Sequence, residues 1–519
     1  MTPTPEQQLI VAAAESSSNN LMIQALAGCG KTSTLEMIAK SKPWSSALAL
    51  AFNVKTKKEL ERRFPKNFEI MTLNGLGHRA WQKAIEPRLQ LDERKLGKLI
   101  SEVARKMQVN LGEEGWDNAR RLISLVMSKG IIPAKFKRSG LQLDTNEAWA
   151  EIADDNWLDI TDDLIDFCRI VLTESIYASY NGNISYDDQI YMSSLFGGIF
   201  PRFDTVFVDE AQDLSPLNHL QVKRCAANRI IAVGDPHQAI YAFRGADHSS
   251  MDNLRRLRQE WKDLTLGMTF RCPKVIVARQ PIDNFRAASN APQGEILDSV
   301  WNNTFGSCEE QGGKDITWCW EDVPRIIDNK VSSIAVICRN NAPLLKLAFK
   351  LIRKGIGCQM LGREIGKGLI ALSKKLCKDD KILSKECIVI ITEWLEQQTN
   401  LARVNGQDGK IAGLQDRAEC LIAVLETSGC ADAGGLRYAI DNIFAQESGQ
   451  VVLTTIHKAK GLEWDIVLHL DPWRVPSKYA RKQEKEGNGK PMEQECNAKY
   501  VCETRTKHTL ILANLDTFV

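Results

Sequence analysis

An apolar run, Leu21-Met22-Ile23, leads into Ala25-Leu26-Ala27-Gly28-Cys29-Gly30-Lys31-Thr32, and helical spacing through Leu35 and Ile38 follows. Strand, glycine loop and helix in that order describe a phosphate-binding loop, which constrains the fold more than any other stretch of the chain. The glycines let backbone N–H groups close around a polyphosphate, and the helix N-terminus adds a favourable dipole. Ala27, Gly28, Cys29 and Gly30 would form the cradle, Lys31 would reach the terminal phosphates, and the Thr32 hydroxyl would hold Mg²⁺. Ala25 stands where such loops usually begin with glycine. The expectation is a parallel α/β nucleotide-binding domain.

A second strand-like run, Thr205-Val206-Phe207-Val208, delivers Asp209-Glu210-Ala211-Gln212-Asp213 at its carboxyl end, where open α/β sheets bind their ligands. An acidic pair after a strand is ordinarily a helix N-terminal preference. Alongside Lys31 it reads as a hydrolytic pair, with Asp209 on Mg²⁺ and Glu210 orienting and deprotonating the attacking water.

Bulk properties narrow the class. A chain of 519 residues is too long for one ordinary core. Its 44% hydrophobic and 25% charged content is that of a globular protein. The net charge of +2 means that any polyanion-binding surface must be local. The 14 cysteines show no C-x-x-C pair and the seven histidines no ligand spacing, so reduced thiols in a cytoplasmic protein are expected, with Mg²⁺ as the only metal. No apolar stretch approaches the roughly 20 residues that span a bilayer, and the polar start argues against a signal peptide.

The order of motifs resembles the UvrD-like helicases of superfamily 1. Gln7 in Thr4-Pro5-Glu6-Gln7 resembles the family's adenine-reading glutamine. Ala51-Phe52-Asn53, before a basic stretch Lys57 to Arg63, resembles its first DNA-contacting motif, and Thr72 and Asn74 in Met71 to His78 resemble the next. The most specific match after the phosphate loop is Val233 to Ala246. There the resemblance implies that Gln238 senses the γ-phosphate, while Tyr241, Phe243 and Arg244 contact single-stranded DNA or the nucleotide cleft. An aromatic ring can stack on a base for about 1–3 kcal/mol, so this segment would couple the two ligands.

Phe270-Arg271-Cys272-Pro273 resembles the opening of a second motor domain, with Arg271 a γ-phosphate ligand from across a domain interface. Val451 to Asp465 resembles the motif linking DNA backbone to nucleotide. Thr455 and His457 would face DNA there, and Lys460, Gly461 and Glu463 the nucleotide. Tyr500 to Arg505 resembles the last motif, with Arg505 the arginine finger, although Cys502, Glu503 and Thr506 depart from its usual small or apolar residues. In motif detail the chain looks closer to the F-box DNA helicase type and its phage or bacterial cousins than to UvrD itself, without an F-box.

The fold class implied is α/β, two RecA-like parallel-sheet P-loop NTPase domains with helical insertions. Residues 1–84 and 191–266 would form motor domain 1A, 85–190 a helical accessory domain 1B carrying Arg94, Lys95 and Lys98 among its basic residues, 267–372 and 447–519 motor domain 2A, and 373–446 a reduced accessory domain 2B. Few residues follow Arg505, too few for the family's strand-splitting hairpin. The polar and basic loop from Trp473 to Lys490 is the nearby candidate to substitute for that hairpin, although a solvated loop is the expected reading. ATP and Mg²⁺ are the expected cofactors, and single-stranded DNA and single/double-strand junctions the expected partners. The function implied is ATP-driven 3′ to 5′ movement on single-stranded DNA with duplex unwinding. Its rivals are a translocase that strips proteins without unwinding and a nucleotide-dependent defence or signalling subunit that gates a partner nuclease.

Overall fold

Short β-branched and aromatic runs, apolar on both faces, can only be strands of a sheet covered by helices on each side. That is how they fold. The structure, a computed structural model, describes residues 2–155, 158, 160–240, 249–279, 290–298, 333–404 and 408–515. The chain divides between Gly267 and Met268 into two units.

In the first unit, β1 (Asn20–Ala25), β2 (Ala47–Ala51), β3 (Phe68–Thr72), β6 (Phe203–Val208), β7 (Ala226–Gly234) and β8 (Trp261–Leu266) form one parallel sheet in the order β3-β2-β6-β7-β1-β8. Its registers pair Ala51 with Thr72, Leu50 with Val208, Val208 with Ala232, and Val233 with Ile23. The carboxyl ends of five strands therefore share one edge.

A helical stretch interrupts this sheet between β3 and β6. Two two-residue strands, β4 (Gln90–Leu91) and β5 (Asn183–Ile184), pair in parallel at its base. Its helices, among them Lys95–Met107, Asp162–Tyr180 and Tyr186–Leu195, close over a core that includes Trp81, Ile100, Trp149, Val171 and Tyr191. Lys95, one of the basic residues of this stretch, is not at its surface. It is buried, and its Nζ donates to Asp188 Oδ2 (2.7 Å), Ser175 O (2.8 Å) and Ser179 Oγ (2.7 Å). An ammonium whose three protons all find acceptors can leave water, and composition alone could not announce those acceptors.

The second unit repeats the plan with β9 (Glu295–Asp298), β10 (Ile334–Cys338), β11 (Cys358–Met360), β12 (Val451–Thr455), β13 (Trp464–Leu470) and β14 (Thr506–Ala513), parallel in the order β11-β12-β10-β13-β14-β9. One helix spans the expected start of its helical insertion at 373. The helix Arg363–Leu376 starts directly after Gly362, whose φ of 115° turns the chain out of β11. Leu421, Val424, Leu436 and Ile440 from the inserted helices join Val336 and Leu453 of the sheet in one continuous core. The stretch after Trp473 is a correction, because it is not loop throughout. Residues Lys478–Lys485 form a helix capped by Ser477, whose Oγ accepts from Ala480 N (3.2 Å), with Ala480 buried. Long charged side chains favour helix, and a single buried small residue is too weak an apolar signal to reveal one.

Candidate active site

The phosphate loop leaves β1 at Ala25. Leu26 N donates to Leu266 O (3.2 Å), so β8 fixes its start, and Gly28 (φ 75°) and Gly30 (φ 79°) carry the left-handed turns that aim its amides inward. The helix Lys31–Ser41 begins at once, with Thr34 N donating to Gly30 O (2.9 Å). Gln7 sits against this turn. It completes a capping box with Thr4, accepting from Thr4 N at Oε1 (3.0 Å), and its Nε2 donates to Thr34 Oγ1 (3.1 Å).

From the ends of β6 and β7 come the acidic residues. Lys31 Nζ lies 2.6 Å from Glu210 Oε2, and Thr32 Oγ1 lies 3.5 Å from Asp209 Oδ2. Glu210 has φ 52°, a conformation costing about 1–2 kcal/mol for a residue with a side chain. Its own N–H holds it there by donating to Asp209 Oδ1 (2.9 Å). Strain at an acidic residue beside a phosphate loop is typical of a functional position. Gln212 ties the site together. Its Nε2 donates to Glu210 Oε2 (2.6 Å) and its Oε1 accepts from Asp235 N (3.0 Å), while Gln238 Nε2 donates to Asp235 Oδ2 (2.6 Å). One chain of contacts thus runs from Lys31 through Glu210, Gln212 and Asp235 to Gln238.

The electrostatics match this layout. Burial alone would lower the Lys31 ammonium, but Glu210, Asp235 and Asp209 outweigh it and hold the group above its ordinary value. Burial, then the neighbouring Glu210 charge, push the Asp209 carboxyl up to about 7 against the pull of Lys31. A buried carboxylate under such pressure beside a hydroxyl suits a hard divalent cation. Mg²⁺ commonly uses one or two protein oxygens together with substrate phosphates, so Thr32 and Asp209 fit it. Among the described residues no group of three or more His, Cys, Asp or Glu is placed to hold a metal.

The DNA candidates of the first unit lie on the same edge, one and two strands beyond Asp209. Phe52 is exposed at the end of β2. Asn53 caps the helix Val54–Arg63 through Oδ1 to Thr56 N (2.8 Å). Thr72 Oγ1 accepts from Gly75 N (3.0 Å) and keeps its hydroxyl proton for an acceptor, while Asn74 Nδ2 donates to Tyr186 O (2.9 Å). Tyr241, Phe243 and Arg244 lie outside the described residues.

In the second unit, Thr455 ends β12 and stands at the N-cap position of the short helix Ile456–Ala459 without a side-chain capping bond, and His457 in that helix is half-buried. Glu463 pairs with Arg271 (Nη1, 3.1 Å) and with Lys507 (Nζ, 3.0 Å), and Arg271 Nε is buried without a hydrogen-bond partner. Arg505, expected as the finger, packs inside this unit. It is 1% exposed, and its guanidinium donates to Val501 O (3.0 Å), Leu462 O (3.3 Å) and Thr504 Oγ1 (3.1 Å). In this structure it holds the Glu463 segment to the end of the helix Lys490–Glu503 rather than facing solvent.

The model of the UvrD/REP helicase N-terminal domain matches residues 4–259, and that of the UvrD-like helicase C-terminal domain matches residues 386–516. The chain belongs to the UvrD-like superfamily 1 helicases. It is similar to F-box DNA helicase protein 1 of Schizosaccharomyces pombe, 26% identical over 98% of this chain and 57% of that protein. F-box DNA helicase 1 of Gallus gallus is 23% identical over 98% of this chain and 49% of that protein. The ATP-dependent DNA helicase UvrD1 of Mycobacterium bovis is 23% identical over 85% and 58%, respectively. The chain therefore spans about half the length of the curated relatives it matches. No described helix of this UvrD-like chain is long and apolar enough to cross a membrane, and the described cysteines are free thiols.

Sequence reasoning gave no role to Gln212 or Asp235, the two residues that join Glu210 to Gln238 in this chain. The signal was available, since both belong to the motifs that supplied their neighbours. Lys507, the second partner of Glu463, carried no signal beyond its charge.

Proposed function

We propose that this UvrD-like chain is an ATP-dependent motor that moves 3′ to 5′ along single-stranded DNA and unwinds duplex. The observation that carries this is the linkage from Lys31 through Glu210, Gln212 and Asp235 to Gln238, next to exposed Phe52 and the free proton of Thr72 on one sheet edge. Lys31 would leave Glu210 for the triphosphate. Glu210 would then be freed to orient and deprotonate water, and Gln212 would pass the change to Gln238, whose strand leads into the segment carrying Tyr241, Phe243 and Arg244. Mg²⁺ held by Thr32 and Asp209 would neutralise charge on the phosphates. Gln7 would read adenine, Arg271 would supply a cation to the γ-phosphate, Glu463 would hold Arg271 until then, and Thr455 and His457 would meet the DNA backbone. Residues 1–84 with 191–266 and 267–372 with 447–519 would act as the two motor domains, with 85–190 and 373–446 as their accessory parts.

ATP turnover titrated with single-stranded DNA, duplex DNA and RNA across a salt series tests this. Stimulation by single strands with a log–log salt slope of about −0.7 per neutralised phosphate is expected. ATPase indifferent to every nucleic acid would refute the motor and favour a nucleotide-gated subunit acting with a partner. Duplexes with a 3′ or a 5′ tail read polarity. Displacement of streptavidin without strand separation would show a stripping translocase.

A further inference from the structure

The stretch from Trp473 to Lys490, expected as a solvated loop, has a built surface. β13 ends at Leu470, which pairs with Cys338 of β10, and Cys338 pairs with Thr455 of β12, so the chain leaves β13 on the same edge as the proposed DNA-backbone contacts Thr455 and His457. The turn that follows is locked. Buried Asp471 takes φ 49°, its Oδ1 accepts from Leu515 N (3.0 Å), its Oδ2 accepts from Arg474 Nε (2.9 Å), and Arg474 N donates to Asp471 O (3.0 Å). Trp473 is presented from this turn 46% exposed, an unusual position for the side chain with the most to gain from burial.

The helix that follows supplies the complementary charge. Lys478, Arg481, Lys482 and Lys485 stand at i, i+3, i+4 and i+7, one exposed face about 10 Å long, while Ala480 turns inward. Arg481 Nη2 donates to the main-chain carbonyl of Trp473 (3.1 Å), which ties the basic face to the turn that carries the indole. A flat ring at one end of a basic row has the chemistry of a single strand: phosphates along the row, a base on the ring.

We propose that Trp473 is a base-stacking platform for single-stranded DNA, with the Lys478–Lys485 face gripping the adjoining phosphates. This rests on the reading that single-stranded DNA is the track, and it adds a contact that no motif of the sequence analysis assigns.

The test is fluorescence anisotropy of a labelled oligo(dT) with the full chain and its Trp473→Ala, Trp473→Phe and Trp473→Leu variants. Trp473→Ala and Trp473→Leu should weaken binding about 5- to 100-fold with an unchanged salt slope, and Trp473→Phe should restore most of it. Lys478→Ala with Lys482→Ala should reduce the slope by about 1.4. An oligonucleotide carrying 5-iododeoxyuridine should photo-crosslink to the peptide holding Trp473. If wild type binds oligo(dT) but Trp473→Ala binds within twofold of it, or Trp473→Leu rescues as well as Phe, the stacking assignment is overturned while the track reading stands. If wild type does not bind oligo(dT), both fall.

Discussion

Removing Arg505 separates two roles that the family resemblance merges. Its guanidinium occupies two backbone carbonyls and a buried hydroxyl, at 3.0–3.3 Å. Arg505→Ala would remove the donor to the part-buried Leu462 carbonyl, leave Val501 O with Thr504 Oγ1 alone (3.2 Å), at about 1–3 kcal/mol for a carbonyl left unpaired, and open a cavity where the stem packed. Relief of the buried charge offsets part of this, so a net loss of about 3–5 kcal/mol is expected. For a unit of this size that is about 6–20 °C in melting temperature. The assay is differential scanning fluorimetry with no nucleotide present, paired with Arg271→Ala. Arg271 faces the surface more, and its loss should shift the melt little while lowering kcat about 10³-fold or more, the cost of losing an arginine finger. An Arg505→Ala variant that melts with wild type yet has lost turnover would refute the buried-strut account and return the finger role to Arg505.

Glu210→Gln should keep ATP affinity, read with a fluorescent nucleotide, while kcat falls about 10²- to 10⁴-fold; unchanged turnover would remove Glu210 as the base. Lys31→Ala should abolish phosphate release, and near-wild-type release would contradict its assignment. Burial, then the Lys499 and Arg279 charges, hold His469 down at about 3, so it stays neutral in the fold while the unfolded chain takes up a proton below about pH 6.5. Stability of the second unit should therefore fall as pH drops through that value, by about 2 kcal/mol at pH 5, with no contribution above pH 7. Melts of His469→Leu across pH should lack this component, and identical pH profiles would refute it. Lys95→Met should destabilise the first unit by about 3–5 kcal/mol by leaving Asp188 buried and unpaired. Adding Asp188→Asn should recover part of the loss, and chemical denaturation of both variants measures it.

Much of this chain was legible before any coordinates. Strand, loop and helix around Lys31 depend on neighbours in sequence: apolar β-branched runs can only pair and be covered, and Gly-Lys-Thr after a strand has few uses. The same locality revealed β6 and the acidic pair Asp209 and Glu210 at its carboxyl end. Lys95, Arg505 and the helix after Trp473 were not legible, because each depends on partners that the one-dimensional pattern does not show. Lys95 and Arg505 look like surface charges until a fold brings Ser175, Ser179 and Asp188, or Val501 and Leu462, within hydrogen-bond reach. Residue types and their order thus determined that this chain builds parallel sheets around a phosphate loop. Only tertiary packing decided which of its charges are buried supports and which remain available to a ligand, since desolvation is set by the whole surrounding volume and not by adjacent residues.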